Sequence, residues 1–212
     1  MLRAGLLLAG AAFVGTTVLG FANWHSRPFI EENRRQALLE RLQVVIPVTL
    51  FDNDVLADTT SITDPDLLGT TDAIRVYRGR RSGLPRAVAF RIVAPDGYAG
   101  EIDLLMGVDA DARITGVRVL SHRETPGLGD DIEAERSDWI DGFIGKSLHN
   151  PNARGWRVRR DGGEFDQFTG ATITPRAVVH AVHRGLRFFE RHHLQLFGKD
   201  LSVAEAATVM EE

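Results

Sequence analysis

From Ala4 to Asn23 the chain reads "AGLLLAGAAFVGTTVLGFAN", without a single charged residue. A run of about 20 apolar residues is the length a helix needs to cross a hydrocarbon layer of roughly 30 Å. Its Gly, Ala and Thr content suits close helix–helix contact in lipid. A cleaved signal peptide would share two of its features, Arg3 ahead of the run and small residues at its end. The run is longer than a typical signal-peptide core, which favours a retained transmembrane anchor over 4–23 behind a short N-terminus of 1–3. Charge does not orient it, because Arg3 lies on one side and Arg27, Arg34 and Arg35 on the other.

The rest of the chain is globular in composition. Of 212 residues, 43% are hydrophobic and 25% charged, which excludes a disordered polar chain. A formal net charge of -4, with arginines scattered and not gathered in a stripe, argues against nucleic-acid binding. Cysteine is absent, so disulfides, thiolate metal sites and a cysteine nucleophile are excluded.

Residues 24–47 read as a helix with Leu38, Leu39, Leu42 and Val45 on one face, ended by Pro47. It serves either as a stalk or as a helix packed on the domain that follows. "FDNDVLADTTSITDPDLLGTTD" is rich in turn residues and reads as a surface connection. "RAVAFRIVAP" and "EIDLLMGVD" alternate as strands, with Val88, Phe90, Ile92 and Ile102, Leu104, Met106, Val108 on their inner faces. The link Asp109-Ala110-Asp111-Ala112 leads into "RITGVRVLSH" and predicts a hairpin. "DIEAERSDWIDGFIG" places Ile132, Trp139, Ile140 and Phe143 at helical spacing. "GWRVRRDGGEFD" reads as a short strand entering a Gly-Gly turn. A final helix carries Ala177, Val178, Ala181, Val182, Leu186 and Phe189 as its buried stripe. The expected fold is α+β over 48–198, a mainly antiparallel sheet with packed helices behind the anchor, followed by an acidic tail at 199–212.

Two stretches offer chemistry. In "SHRETPGLGDD", Gly127 and Gly129 bracket Leu128, and Glu124 and Thr125 supply a carboxyl and a hydroxyl. The spacing is neither a Rossmann fingerprint nor a P-loop, and a purely structural link is equally compatible with it. In "FDQFTGATITPR", Thr174 is placed to cap the final helix and Pro175 to occupy its first turn. Gly170 and Ala171 leave backbone N–H groups accessible at a helix start, where an anion is favoured. Local chemistry leaves ordinary capping and phosphate binding both open. His180, His183, His192 and His193 lack a third ligand at fixed spacing, so no metal site is expected. Neither a G-x-S-x-G elbow nor a comparable nucleophile context is present.

Taken together, "HRETPGLGDDIE", "SDWIDGFIGKSL" and "GGEFDQFTGATITPRAVV" resemble the FMN-binding G-subunit of the Rnf (Rsx) electron transport complex. The anchor, the "FDN" segment and "APDGYAGEIDLLMGVD" are similar to that family too, so the resemblance runs from the anchor to about His193. The C-subunit of the sodium-pumping NADH:quinone reductase shares the flavin motifs and is the alternative. A periplasmic flavin-bearing regulatory or assembly module is a further one.

The resemblance implies covalent FMN, esterified through its phosphate to Thr172, with Thr169 in the first hydroxyl position of the motif. It implies that Glu124, Thr125, Leu128, Gly129, Gly170, Ala171 and Thr174 surround the cofactor. Asp166 matches the acidic residue read by the flavin transferase, which draws on FAD and Mg²⁺. The implied partners are the other subunits of the complex, that transferase and the lipid bilayer, with no nucleic acid. The implied location is the bacterial inner membrane, single-pass, with the flavin domain on the periplasmic side. The implied role is an electron carrier inside a translocase, not a stand-alone catalyst.

Overall fold

The computed structural model describes Leu2–Phe197, leaving the surroundings of many side chains before Glu32 outside the description. Met1 and the expected acidic tail at 199–212 lie outside the described residues. Helix α1 runs unbroken over Leu2–Val45, spanning both the expected anchor and the expected stalk. Among the residues whose side chains are described, which leave out most of 4–31, no helix is long and apolar enough to cross a membrane. Contacts divide the chain into one unit ending at Arg41 and a second beginning at Leu42. The second unit takes in the end of α1 because Leu42, Val45 and Ile46 are fully buried.

That second unit is built on a five-stranded antiparallel meander. Its strands are β1 (Thr59–Ile62), β2 (Ile74–Arg81), β3 (Leu84–Ala94), β4 (Ile102–Asp109) and β5 (Ile114–Ser121), paired in sequence order. Two-residue alternation sends Val88, Phe90 and Ile92 of β3 and Leu104, Met106 and Val108 of β4 to one face, all buried. The β2–β3 turn places both Ser82 and Gly83 at positive φ, as a tight hairpin linking right-twisted strands requires. The predicted β4–β5 hairpin forms, and the Asp109 side chain accepts from the N–H groups of Asp111 and Arg113 across its turn.

The short helix α2 (Pro65–Leu68) lies between β1 and β2, and the long helix α3 (Ile173–Phe197) packs over β3 and β4. The predicted stripe of α3, Ala177, Val178, Ala181, Val182, Leu186 and Phe189, is buried throughout. Gly185 lets helix and sheet approach closely: a Cβ there would lie 2.7 Å from Met106 Sδ and 3.3 Å from an Ile92 methyl. Phe188 meets Phe90 with ring centroids 5.0 Å apart. On the opposite sheet face, Gly107 and Gly116 make room for the end of α1. A Cβ on Gly107 would collide with the Val45 carbonyl oxygen, to which the Thr115 hydroxyl donates.

Three expectations need correction. The segment read as a surface connection contains β1 and α2, and it buries Val55, Ile62, Leu67 and Leu68. Strand β2 is not legible in the sequence, because the basic residues of "IRVYRGRR" obscure the alternation of Ile74 and Val76. The helix expected over 131–145 is two 3₁₀ turns, Asp130–Ile132 and Asp138–Phe143. Ser137 separates them in extended conformation, its hydroxyl donating to the Asp131 carbonyl and accepting from the Trp139 N–H. Ile132, Ile140 and Phe143 still face inward. The expected strand at Val158 is a single bridge to Phe165.

One buried carboxyl ties α2 to α3. Asp64 caps α2 by accepting from the Leu67 N–H, and its other oxygen meets Arg191 Nη1 at 3.0 Å and His192 Nε2 at 2.9 Å. Burial pushes the Asp64 pKa up, but the bonds to His192, the Leu67 N–H and Arg191 together leave it below its ordinary value of 3.8. A lowered pKa means stabilisation that is complete above 3.8 and fades as pH falls through the native value. Asp64→Asn should therefore cost about 1–2 kcal/mol at neutral pH. It should also flatten the loss of stability below pH 3.8, measured by thermal unfolding of the full chain in detergent. Parallel pH profiles for wild type and variant would refute the assignment.

Candidate functional site

The two stretches singled out in the sequence come together at the start of α3. In the first, the Leu128 and Gly129 N–H groups both donate to the Thr125 carbonyl, and Gly127 takes φ 76°. With Pro126 second and Gly127 third, this is the residue pattern of a type II turn. Asp130, itself buried, holds the turn from behind by accepting from the Gly127 N–H at 2.6 Å. Its second oxygen lies 3.3 Å from Arg136 Nε.

The second stretch repeats the device. The Ala171 N–H donates to the Phe168 carbonyl at 3.2 Å, and Gly170 at the third position has φ 82°. Glycine here is required by the backbone angle more than by space, since an added Cβ would meet only Leu128 Cδ2, at 3.6 Å.

Between the two turns lies a cavity of about 360 Å³, lined by Tyr98, Glu124, Thr125, Leu128, Gly129, Gly170, Ala171, Thr172, Ile173 and Thr174. Eight of the ten expected site residues line it. Thr169 and Asp166 do not: both are exposed, and Asp166 pairs with Arg159 at 2.5 Å. Trp139 donates its indole N–H to the Asp166 carbonyl at 2.8 Å, anchoring that strand of the loop. Tyr98 and Ile173, absent from the sequence-based set, complete the apolar wall with Leu128, and all three are exposed at its rim. The one cue to Tyr98 was an aromatic between turn residues in "PDGYAG".

Glu124 is 4% exposed and binds three segments together. Its Oε2 accepts from the Thr174 hydroxyl, and its Oε1 accepts from the Ala99 N–H at 3.0 Å. Its own N–H donates to His122 Nδ1, whose Nε2 sits 2.8 Å from Glu133. Gly129 is small because a Cβ would lie 2.9 Å from the Glu124 side chain and 3.0 Å from Thr174 Oγ1.

The expected capping role of Thr174 is corrected. Helix α3 begins at Ile173, and its first helical bond runs from the Arg176 N–H to the Thr172 carbonyl. Thr172 thus holds the flanking position, Thr174 is the second helical residue, and its hydroxyl is spent on Glu124. Pro175 comes third, where a flanking threonine usually finds an N–H donor, and proline has none. The Thr172 hydroxyl accepts instead from Arg160 Nη1 at 3.4 Å. Nearby, Arg176 donates to both oxygens of Asp161 (2.7 and 3.0 Å). That pairing holds the Asp161 carboxyl below the usual carboxylate value against the opposing effect of desolvation.

The cavity accordingly has an apolar half suited to a flat ring and a polar end where a helix start and an arginine meet a threonine hydroxyl. Its volume falls within the range of small-molecule sites. Among the described residues, no group of three metal-ligating side chains forms. His183 stacks on Trp156, and His192 faces Asp64.

This chemistry fits a domain that holds a phosphorylated aromatic cofactor, and residues 97–187 match the FMN-binding domain family. The chain is 50% identical over 195 residues to the G-subunit of the ion-translocating oxidoreductase complex of Cereibacter sphaeroides, covering 92% of this chain and 87% of that one. It is 44% identical over 200 residues to the corresponding G-subunit of Pseudomonas aeruginosa, covering 94% of each. It is 42% identical over 202 residues to that of Shewanella oneidensis, covering 95% of each. The chain belongs to the family of G-subunits of the ion-translocating oxidoreductase complex.

The Glu124–Thr174 bond should be measurable as a coupling. Thr174→Val and Glu124→Ala are each expected to destabilise the full chain by about 1–3 kcal/mol, since each strands a buried polar partner. The double variant should fall short of their sum by at least about 0.5 kcal/mol in denaturant unfolding. Strict additivity would refute the link.

Proposed function

We propose that this protein is the flavin-carrying subunit of an ion-translocating oxidoreductase complex, passing electrons through FMN attached to Thr172. The observation that carries this reading is the cavity itself. Two glycine turns face each other across it, and a threonine hydroxyl stands at its polar end beside the start of a 25-residue helix. FMN supplies reversible one- and two-electron chemistry when bound. Leu128, Ile173 and Tyr98 offer apolar surface to the isoalloxazine ring. Thr125 and the turn N–H groups offer hydrogen-bond donors, and Glu124 fixes the wall behind them. The Thr172 hydroxyl is the group esterified, with AMP leaving when FAD is the donor.

The α3 start favours the negative charge that the resulting phosphodiester retains. Asp166 serves as the recognition residue for the flavin transferase. Its ion pair with Arg159 is exposed at both ends, and such pairs are worth little, so the carboxylate can change partner at small cost. The other subunits of the complex are the electron-transfer partners, reached through the open rim of the cavity.

The uncharged stretch Ala4–Asn23 is the membrane anchor in this reading. As a helix it extends about 30 Å, enough for a single pass, with residues 1–3 in the cytoplasm and the flavin domain in the periplasm. Support comes from the continuous helix α1 and from the absence of charge in that stretch. The full chain is expected to stay in the membrane pellet after alkaline carbonate extraction. Release of the intact chain into the supernatant would overturn the anchor.

The covalent link has a direct test. Coexpressed with a flavin transferase, the wild type should give a fluorescent band on denaturing gels and a mass gain of one FMN less one water. Thr172→Ala should abolish both, Thr172→Ser should retain them, and Thr169→Ala should leave a labelled product. Fluorescence surviving in Thr172→Ala, or an unmodified wild type, would sink the assignment.

A further inference from the structure

Four basic residues surround the loop that carries Thr172, and they differ in what already occupies them. Arg159 is paired with Asp166 at 2.5 Å. Arg176 is held by both oxygens of Asp161. Lys146 faces Glu164 at 3.5 Å. Among the described residues no carboxylate pairs with Arg160, whose head group instead donates to Thr172 Oγ1 at 3.4 Å. Its position is set by the backbone. Arg160 sits in the 3₁₀ turn Arg159–Asp161, and its N–H donates to Gln167 Oε1 at 3.2 Å. The turn is closed by Gly162 at φ 83° and pinned to the Thr172 loop by the Arg159 N–H on the Phe165 carbonyl at 2.7 Å. Gly163 packs against the Arg157 backbone, where any side chain would collide with the Arg157 carbonyl oxygen.

An arginine without a bound carboxylate, held against a hydroxyl that is to become a phosphodiester, has an evident use. We propose that Arg160 is the counter-ion of the phosphate linked to Thr172, a positioning residue that fixes the polar end of the flavin. The inference rests on the flavin reading above. The guanidinium presents a planar set of N–H donors that matches two phosphate oxygens, and it stays charged at any working pH. Before attachment, its contact to Oγ1 orients the hydroxyl. After attachment, the same head group needs only a small movement to reach the oxygens on phosphorus. Thr172 directly precedes α3, so the helix start would offer that charge a second source of donors on a separate segment from Arg160.

Full-length chain is incubated with purified flavin transferase, FAD and Mg²⁺ in detergent, comparing wild type, Arg160→Gln, Arg160→Lys and Arg187→Gln as a charge-matched control on α3. Two readouts are followed: the initial rate of covalent labelling, and the ³¹P chemical shift of the linked phosphate with its dependence on salt. Arg160→Gln is expected to label on the order of tenfold more slowly. Its ³¹P signal should move toward that of a free threonine phosphodiester and lose most of its protein-induced shift. Arg160→Lys should recover part of both effects, and Arg187→Gln should match wild type. Unfolding curves check that each variant is folded. A labelling rate and a ³¹P shift unchanged in Arg160→Gln, or changed equally in Arg187→Gln, overturn the role of Arg160 and leave the flavin reading intact. Failure of the wild type to label overturns both.

Discussion

The carboxyl group of Glu124 holds the site in one piece. Three segments far apart in sequence meet on it: the loop at Ala99, the turn that follows β5, and the first turn of α3. It is buried, yet among the described residues no arginine, lysine or histidine lies in ion-pair range of it. A buried carboxyl without a cation costs free energy unless its lone pairs are met by hydrogen bonds. Here the Thr174 hydroxyl and the Ala99 N–H meet them, and the requirement works in both directions. The two donors must stay in place for the carboxyl to be tolerated, so the cavity wall cannot open piecemeal. Gly129 is part of the same constraint, because any side chain there would push Glu124 away from Thr174.

This arrangement depends on a rigid platform, which the sheet and α3 provide. The close approach at Gly185 locks the helix over β3 and β4, and the helix start is thereby fixed relative to the end of β5. Asp64 adds a second tie near the other end of α3, through Arg191 and His192. The two turns facing the cavity therefore hang from elements that do not shift. Each turn exposes its small third residue and buries little, so the apolar surface toward the cavity is formed by the fourth residues, Leu128 and Ala171, and by Ile173 and Tyr98.

Much of this was legible in the sequence where a single physical rule dominates. Alternation gave the inner faces of β3 and β4, and helical spacing gave the buried stripe of α3 down to Phe189. The Thr125-Pro126-Gly127 turn has a signature that needs no tertiary context. Legibility failed where several weak signals competed. In "TTSITDPDLLG" turn residues outnumber apolar ones, yet Asp64 and Gly69 cap α2 at its two ends and Leu67 and Leu68 fill the core. Across 131–145 the inward residues are compatible with a helix, and only the hydroxyl of Ser137, bonding both ways, reveals the break. The expected residues that meet at the cavity were those carried by motif. Tyr98 and Arg160 were missed because their place is set by folding of other segments, on which local spacing is silent, whereas Ile173 lies inside the motif but, as an apolar residue between two threonines, carries no sign of binding.

The threonines of "TGATIT" show how local structure can decide chemistry. Read by propensity, Thr174 before Pro175 is a helix cap, and Thr172 is one more small polar residue. In the folded chain the helix starts earlier, so Thr172 takes the flanking place and would be expected to spend its hydroxyl on the helix. One of the two residues whose N–H could donate to it, at the third helical position, is Pro175, which has no N–H to give. The cap is thus weakened at the one threonine whose oxygen faces the cavity and Arg160, while Thr174 is committed to Glu124 and Thr169 sits exposed on the turn. An oxygen already saturated by backbone donors makes a poor nucleophile, because its lone pairs are held. Proline at position 175 therefore does more than start a helix: it withholds one of the two N–H groups that could cap the Thr172 oxygen, the oxygen that the proposed attachment uses.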